Sequence, residues 1–323
     1  MRIMLYTIKN TFNQKDLFMK KLDLSNNIAF FRGAVAPFVR MNQELLDFYR
    51  ATESWTIRAK CATGVLAVFE TDSAALQINV EFGEPARPIF TTDVEVNGEV
   101  TTFDGAGTHS MQLPAGSKVV TVHLPHLAVL TRFEIKVDDN AQVAAVEDNR
   151  PKLLICGDSI LQGMTCSSPS RASAAITARE LNMQLHNTSV GGAKMEFAPV
   201  AATLQLGGKD DTIVVGFGAN DTAQKVDLDY FRSSTGKILA ALNDFPGKSL
   251  IITPIPTTNE FGPLLPTYSN IIREEHAKFP WVKLLDGYSF YPCKAELFVD
   301  GLHPNDEGMK IYAAGLLKAL KEF

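Results

Sequence analysis

Nothing in this sequence commits it to a membrane, a metal or a nucleic acid. Cysteine is scarce, with Cys61, Cys156, Cys166 and Cys293 among 323 residues and no Cys-x-x-Cys pair. That argues against a zinc site and against a disulfide framework. No apolar run approaches the ~20 residues of a membrane helix. Lys and Arg total 31 against 36 Asp and Glu, for a net charge of −5. Without a basic stripe, nucleic acid is not an expected partner. The first ten residues are interrupted by Lys9 and lead to no small-residue cleavage site, so no export signal is read there. The expectation is a soluble, cytoplasmic protein, with Met19 as an alternative start. Internal repeats and low-complexity tracts are also missing.

What is present is a large apolar complement, 46% of residues, and a length that suggests two domains. Residues 27–140 carry many short strands. Leu76, Ile78, Val80 and Phe82 alternate with polar neighbours, as do Val120, Val122 and Leu124, and Phe133, Ile135 and Val137. Asn97-Gly98 between valines is a hairpin turn signal. These patterns predict an antiparallel, jelly-roll-like β-sandwich, with one short helix over 43–50. Trp55 and the Phe30-Phe31 pair are the candidates for a sugar-stacking platform, against a plain core role. His123 and His126 lie three apart on a strand and so face opposite sides, which argues against a metal pair. The segment before residue 27 is left unassigned.

A polar stretch, 141–151, reads as a linker closed by Pro151. The rhythm then changes to strand, helix, strand. Leu153 to Cys156 is a continuous apolar run, as in a strand buried on both faces. Further strands are expected at 184–190, 212–217, 249–253 and 282–285, with helices over 170–181, 230–243, 268–278 and 305–320. Asn305 is placed to cap the last helix, and Asp306 and Glu307 suit its positive end. This alternation predicts a parallel sheet covered by helices on both faces over 152–323.

The strand ends carry the chemistry, because ligands in open α/β sheets bind beyond the carboxyl ends of the strands. Ser159 follows the first strand; it reads as a nucleophile or, more plainly, as a helix cap. Gly157 to Leu161 does not form a Gly-x-Ser-x-Gly elbow. Gly192 follows the second strand, Asn220 the third, and Asp300-Gly-Leu-His303 precedes the last helix. These types fit acyl transfer. Ser159 would attack a carbonyl carbon, and His303 would take its proton and return it to the leaving alcohol. Asp300 would hold the imidazole in the right tautomer. The N–H groups of Ser159 and Gly192 and the Asn220 amide would meet the oxyanion.

With those residues in place, the chain resembles the SGNH hydrolases, also called GDSL esterases and lipases. Their blocks are matched by Gly157-Asp158-Ser159, by Asn187 to Gly192, by Gly218-Ala-Asn220-Asp221 and by Asp300-Gly-Leu-His303. Gly191 is the second candidate for the glycine, and Asp158 and Asp221 take supporting places. The resemblance implies a flavodoxin-like three-layer α/β/α domain and ester hydrolysis without metal or cofactor. A β-rich domain in front is similar to the arrangement in carbohydrate acetyl esterases of the second carbohydrate esterase family. The expected activity is removal of acetyl or other short acyl groups from carbohydrate-like small molecules or oligosaccharides. The alternatives are a lipase, thioesterase or acyltransferase using the same residues, or a non-catalytic carbohydrate-binding protein.

Overall fold

The computed structural model describes residues 18–323. The reading of the first ten residues therefore lies outside the described part. Two antiparallel sheets come first. One runs in the spatial order Met19–Lys21, Ala128–Asp138, Ala75–Pro85, Gly107–Gln112. The other runs Val143–Ala145, Leu66–Thr71, Lys118–His123, Thr91–Val96, Glu99–Asp104, with Phe31–Arg32 also on Leu66–Thr71. Their inner faces supply the alternating residues that the sequence marks: Leu76, Ile78, Val80, Val120, Val122, Ile135 and Val137 lie in one buried cluster. Asn97 and Gly98 turn the hairpin with positive φ at both positions, which suits the right-handed twist of its strands.

The sheets extend past the limits drawn from sequence. Met19–Lys21 pairs with Ala128–Asp138 ahead of residue 27, and Val143–Ala145 pairs with Leu66–Thr71 inside the expected linker. Three-residue strands are too short to display a period, so pairing partners decide them.

A second sheet system, all parallel, has the order Gln184–Asn187, Lys152–Gly157, Thr212–Gly216, Lys248–Ile252, Lys283–Leu285. In chain order this is 2-1-3-4-5, the flavodoxin-like winding. One face is covered by Phe197–Leu204, Leu228–Asn243 and Leu265–His276, the other by Ser173–Glu180 and Asp306–Lys321. The last helix is capped by Asn305, whose side chain accepts from the Gly308 N–H. The helix Phe197–Leu204 occupies a stretch to which the sequence reading gave no element.

The two parts are joined by more than a linker. The helices Gln43–Tyr49 and Glu53–Lys60, inserted among the sandwich strands, bury Leu45, Tyr49 and Ala59, with Met41 just before the first helix, against Leu154, Val190 and Val215 of the parallel-sheet core. The second of these helices is not foreseen in sequence. Thr52 starts it by accepting from Trp55 N–H, but Trp55, Ile57 and Ala59 recur every second residue and mimic a strand.

Candidate active site

The order 2-1-3 puts the topological switch point between the second and third strands, on either side of the first. Ser159, Gly192 and Asn220 follow those three strands. Gly157 lets the first strand end in a tight turn. A Cβ there would stand 2.5 Å from both Gly216 O and a Leu161 methyl. The helix Ser159–Gln162 begins at once, and its cap is Asp158, not Ser159: the Asp158 carboxylate accepts from Ile160 N–H at 2.9 Å. The Ser159 hydroxyl is thereby left for another partner. That partner is His303, with Nε2 at 2.8 Å from Oγ.

His303 sits on a turn made by Gly301 at φ +76. The Asp300 carboxylate accepts from the backbone N–H of Leu302 and of His303, and faces His303 Nδ1 at 2.8 and 3.0 Å. With Asp300 on Nδ1, the Nδ1–H tautomer is favoured and Nε2 is left basic toward Ser159. Burial lowers the His303 pKa below its ordinary value, against the pull of Asp300. Burial pushes Asp300 up, but the hydrogen bonds from His303 more than offset it, and its pKa is lowered.

Gly191 and Gly192 differ in what holds them. The Gly191 N–H donates to Gln162 Oε1 at 2.7 Å. The Gly192 N–H, like that of Ser159, has no acceptor among the described residues. Gly192 has φ +83, and a Cβ on it would stand 2.9 Å from Arg58 Nη1 and 3.1 Å from Trp55 Nε1. Two constraints, backbone and space, thus require glycine there. Asn220 lies inside the helix Ala219–Ala223, which Gly218 rather than Asn220 begins. Its Nδ2 donates to Ala193 O at 3.0 Å, leaving one N–H of the amide over. Asp221 is buried and accepts from Met195 N–H, so the turn carrying Gly192 is tied to the end of the third strand. The pKa values of Asp158 and Asp221 are each pushed up to about 7, chiefly by burial.

The sequence reading does not foresee how far the leading part enters this edge. Arg40 is fully buried and reaches across to it. Its guanidinium donates to Cys61 O, Arg58 O, Asn187 O and Ser189 O, at 2.7 to 3.0 Å. Gln162 adds a bond to Arg58 O. Arg58 Nη1 in turn donates to Gly191 O at 2.8 Å. Arg87, between two sandwich strands, places Nη2 at 3.8 Å from Asp300 Oδ2. No motif announces these residues, because the partners that tie them to this edge, Asn187, Ser189, Gly191 and Asp300, are more than a hundred positions away.

Trp55 and the Phe30-Phe31 pair go to different places. Trp55 packs with Phe48 and Tyr49 beside Gly192, whereas Phe31 is buried in the sandwich core with Phe30 against it. His123 and His126 also diverge. His123 faces Glu95, and His126 is buried against Gly163 O and Cys166 Sγ. Among the described residues, no group of three or more His, Cys, Asp or Glu is arranged to hold a metal ion.

Residues 155–311 match the GDSL-like Lipase/Acylhydrolase family. Over those residues the chain carries a GDSL-like lipase/acylhydrolase domain. No curated protein matches the chain. Among solved structures, a GDSL-like lipase from Bacteroides ovatus ATCC 8483 is similar at TM-score 0.78 and 18% identity, over 94% of this chain and 97% of that one. The salicylyl-acyltransferase SsfX3 from a tetracycline biosynthetic pathway is similar at TM-score 0.72 and 22% identity, over 90% and 94%. A family two carbohydrate esterase from Clostridium thermocellum, solved with cellohexaose, follows at TM-score 0.56 and 15% identity, over 80% and 91%. At these identities the likeness is one of fold: a β domain placed before a GDSL-like α/β domain.

Proposed function

We propose that the chain is a serine esterase that removes acetyl or other short acyl groups from carbohydrate-like alcohols. The observation that carries this reading is the line Ser159 Oγ, His303 Nε2, His303 Nδ1, Asp300 carboxylate, with 2.8 Å at each link. It lies beside two backbone N–H groups that have no acceptor among the described residues.

In the first half-reaction Ser159 Oγ attacks the ester carbonyl carbon and its proton passes to His303 Nε2. The carbonyl oxygen becomes an oxyanion, met by the N–H groups of Ser159 and Gly192 and by the Asn220 amide. Asp300 stabilises the imidazolium. Collapse breaks the bond to the alcohol oxygen, which leaves with the proton from His303. Water then repeats the sequence on the acyl-Ser159 ester, giving the acid and free enzyme. Asp158 and Asp221 hold the backbone of these turns. The short-acyl preference is supported by Trp55 and Arg58, which occupy the space beside Gly192. In an acyl transfer, a second alcohol would replace water in the last step. The acyltransferase among the structural neighbours is the reason to test for it.

The test is hydrolysis of 4-nitrophenyl acetate, butyrate and octanoate by the wild type, Ser159→Ala and His303→Ala proteins, with glycerol as competing acceptor. Turnover of acetate above octanoate, reduced by about 10⁴-fold or more in both variants, is the expected result. Equal rates in wild type and Ser159→Ala would refute the assignment. Acyl-glycerol as the main product would move it to transfer.

A further inference from the structure

Two of the arginines that the leading part delivers to this edge, Arg58 and Arg87, are more than the proposed hydrolysis of a neutral ester requires. Arg58 uses one nitrogen on Gly191 O; its other nitrogens have no hydrogen-bond partner among the described residues. The Arg87 guanidinium has none either, and its nearest acid, Asp300, is 3.8 Å away and already engaged by His303. Both arginines are only partly exposed. Both stand at the same edge, Arg58 against Gly192 and Arg87 by Asp300, and burial first, then the charge of Arg87, lowers the Arg58 pKa. Both also oppose the charging of His303, after the effect of burial. The chain as a whole is acidic, at −5, so this is a local concentration of positive charge. Two guanidinium groups held near one another repel, and an anion placed between them relieves that repulsion. Their forked donors match the oxygens of a carboxylate or a phosphate.

We infer that Arg58 and Arg87 recognise an anionic group, carboxylate or phosphate, on the ester substrate, and so set its specificity. The inference rests on the esterase reading, but it can be tested without turnover. The anion would lie beside the Arg58 and Trp55 side chains that stand against Gly192, within reach of the Arg58 nitrogens not used on Gly191 O. The Trp55 N–H is a third donor on the same side, with no acceptor among the described residues. Its indole suits the apolar face of a sugar. A uronate would join these features on the alcohol side of the ester. A dicarboxylic half-ester would supply the charge from the acyl side, and a sugar phosphate would supply it as a phosphate.

Trp55 also provides the readout, since Trp281 is the only other tryptophan and is 83% exposed. In a Trp281→Phe protein, emission reports on Trp55. We would titrate this protein with glucuronate, succinate, glucose 6-phosphate and glucose, alone and combined with Arg87→Ala or Arg87→Glu. At least one anion should bind about 10-fold or more tightly than glucose, and that preference should vanish in Arg87→Ala and reverse in Arg87→Glu. Which anion prefers the site assigns the source of the charge. As a second readout, the ratio of kcat/KM for mono-4-nitrophenyl succinate over 4-nitrophenyl butyrate, or for acetylated glucuronate over acetylated glucose, should fall about 10-fold or more in Arg87→Ala. If no anion outcompetes glucose, or if the preference survives Arg87→Glu, the inference is overturned while neutral-ester hydrolysis stands. Arg87-dependent anion binding without turnover of any ester would uphold the anion site and sink the esterase reading instead.

Discussion

The GDSL-like domain and the part before it meet at one edge, but they bring different things to it. The GDSL-like domain places Ser159, Gly192 and Asn220 beyond strand ends and His303 just before the last helix, each within a few residues of the strand or helix that holds it. The leading part reaches the same edge through Arg40, Trp55, Arg58 and Arg87, whose positions depend on contacts more than a hundred residues away in sequence. In the proposed reaction, groups of the first kind act on the reacting atoms. Those of the second kind hold the turn that carries Gly192 and line the space beside it. In the proposed reaction the chemistry and the selectivity thus come from separate pieces of chain.

Two substitutions should separate these contributions most sharply. Asn220→Ala removes a donor for the oxyanion while its backbone helix remains. It should lower kcat by about 10²–10³-fold, while the lost bond to Ala193 O should cost only about 1 kcal/mol of stability. Arg40→Met removes the buried guanidinium from four carbonyl oxygens, one of them Arg58 O. It should cost roughly 3 kcal/mol or more of stability, because those acceptors stay buried without a donor. Urea unfolding of both variants beside their rates on 4-nitrophenyl acetate makes the comparison. A strongly destabilised Asn220→Ala, or an Arg40→Met as stable as wild type, would erase the distinction.

A pH-dependent effect concerns the buried carboxyl beneath Ser159. Burial, with help from the charge of Asp221, raises the Asp158 pKa from the model-peptide 3.8 to about 7. A folded pKa above the unfolded one means stability that is fully present below the unfolded pKa and is lost as pH rises through about 7. Asn keeps an oxygen for the Ile160 N–H but carries no charge. Asp158→Asn should therefore nearly match wild type near pH 4 and become the more stable protein by pH 8, by several kcal/mol and up to about 4 for the full shift from 3.8 to about 7. Urea midpoints at the two pH values decide it, and a gap that does not change with pH would contradict the burial argument.

The same contrast explains what could be read in the sequence. The parallel sheet and its order of strands and helices were legible because buried strands read as continuous apolar runs. The candidate site was legible because each of its residues stands just beyond such a run or at a helix start. Even there, local detail escaped. Asp158 rather than Ser159 caps the short helix, and Gly218 rather than Asn220 begins the next. Both glycine and aspartate are good caps, and sequence alone does not rank adjacent candidates. The helix Glu53–Lys60 was missed because its apolar residues mimic a strand. The places of Arg58 and Arg87 were not legible at all, since a lone arginine carries no period and its partner is chosen by how two domains pack.

The central claim is that Ser159 is a nucleophile activated by His303, and a covalent probe tests it most directly. An alkyl fluorophosphonate should add one phosphonyl group to the wild-type protein, with loss of fluoride, and peptide mapping should place it on Ser159. His303→Ala should label at least about 100-fold more slowly, and Ser159→Ala not at all. A label on another residue, or equal labelling of Ser159→Ala, would contradict the account.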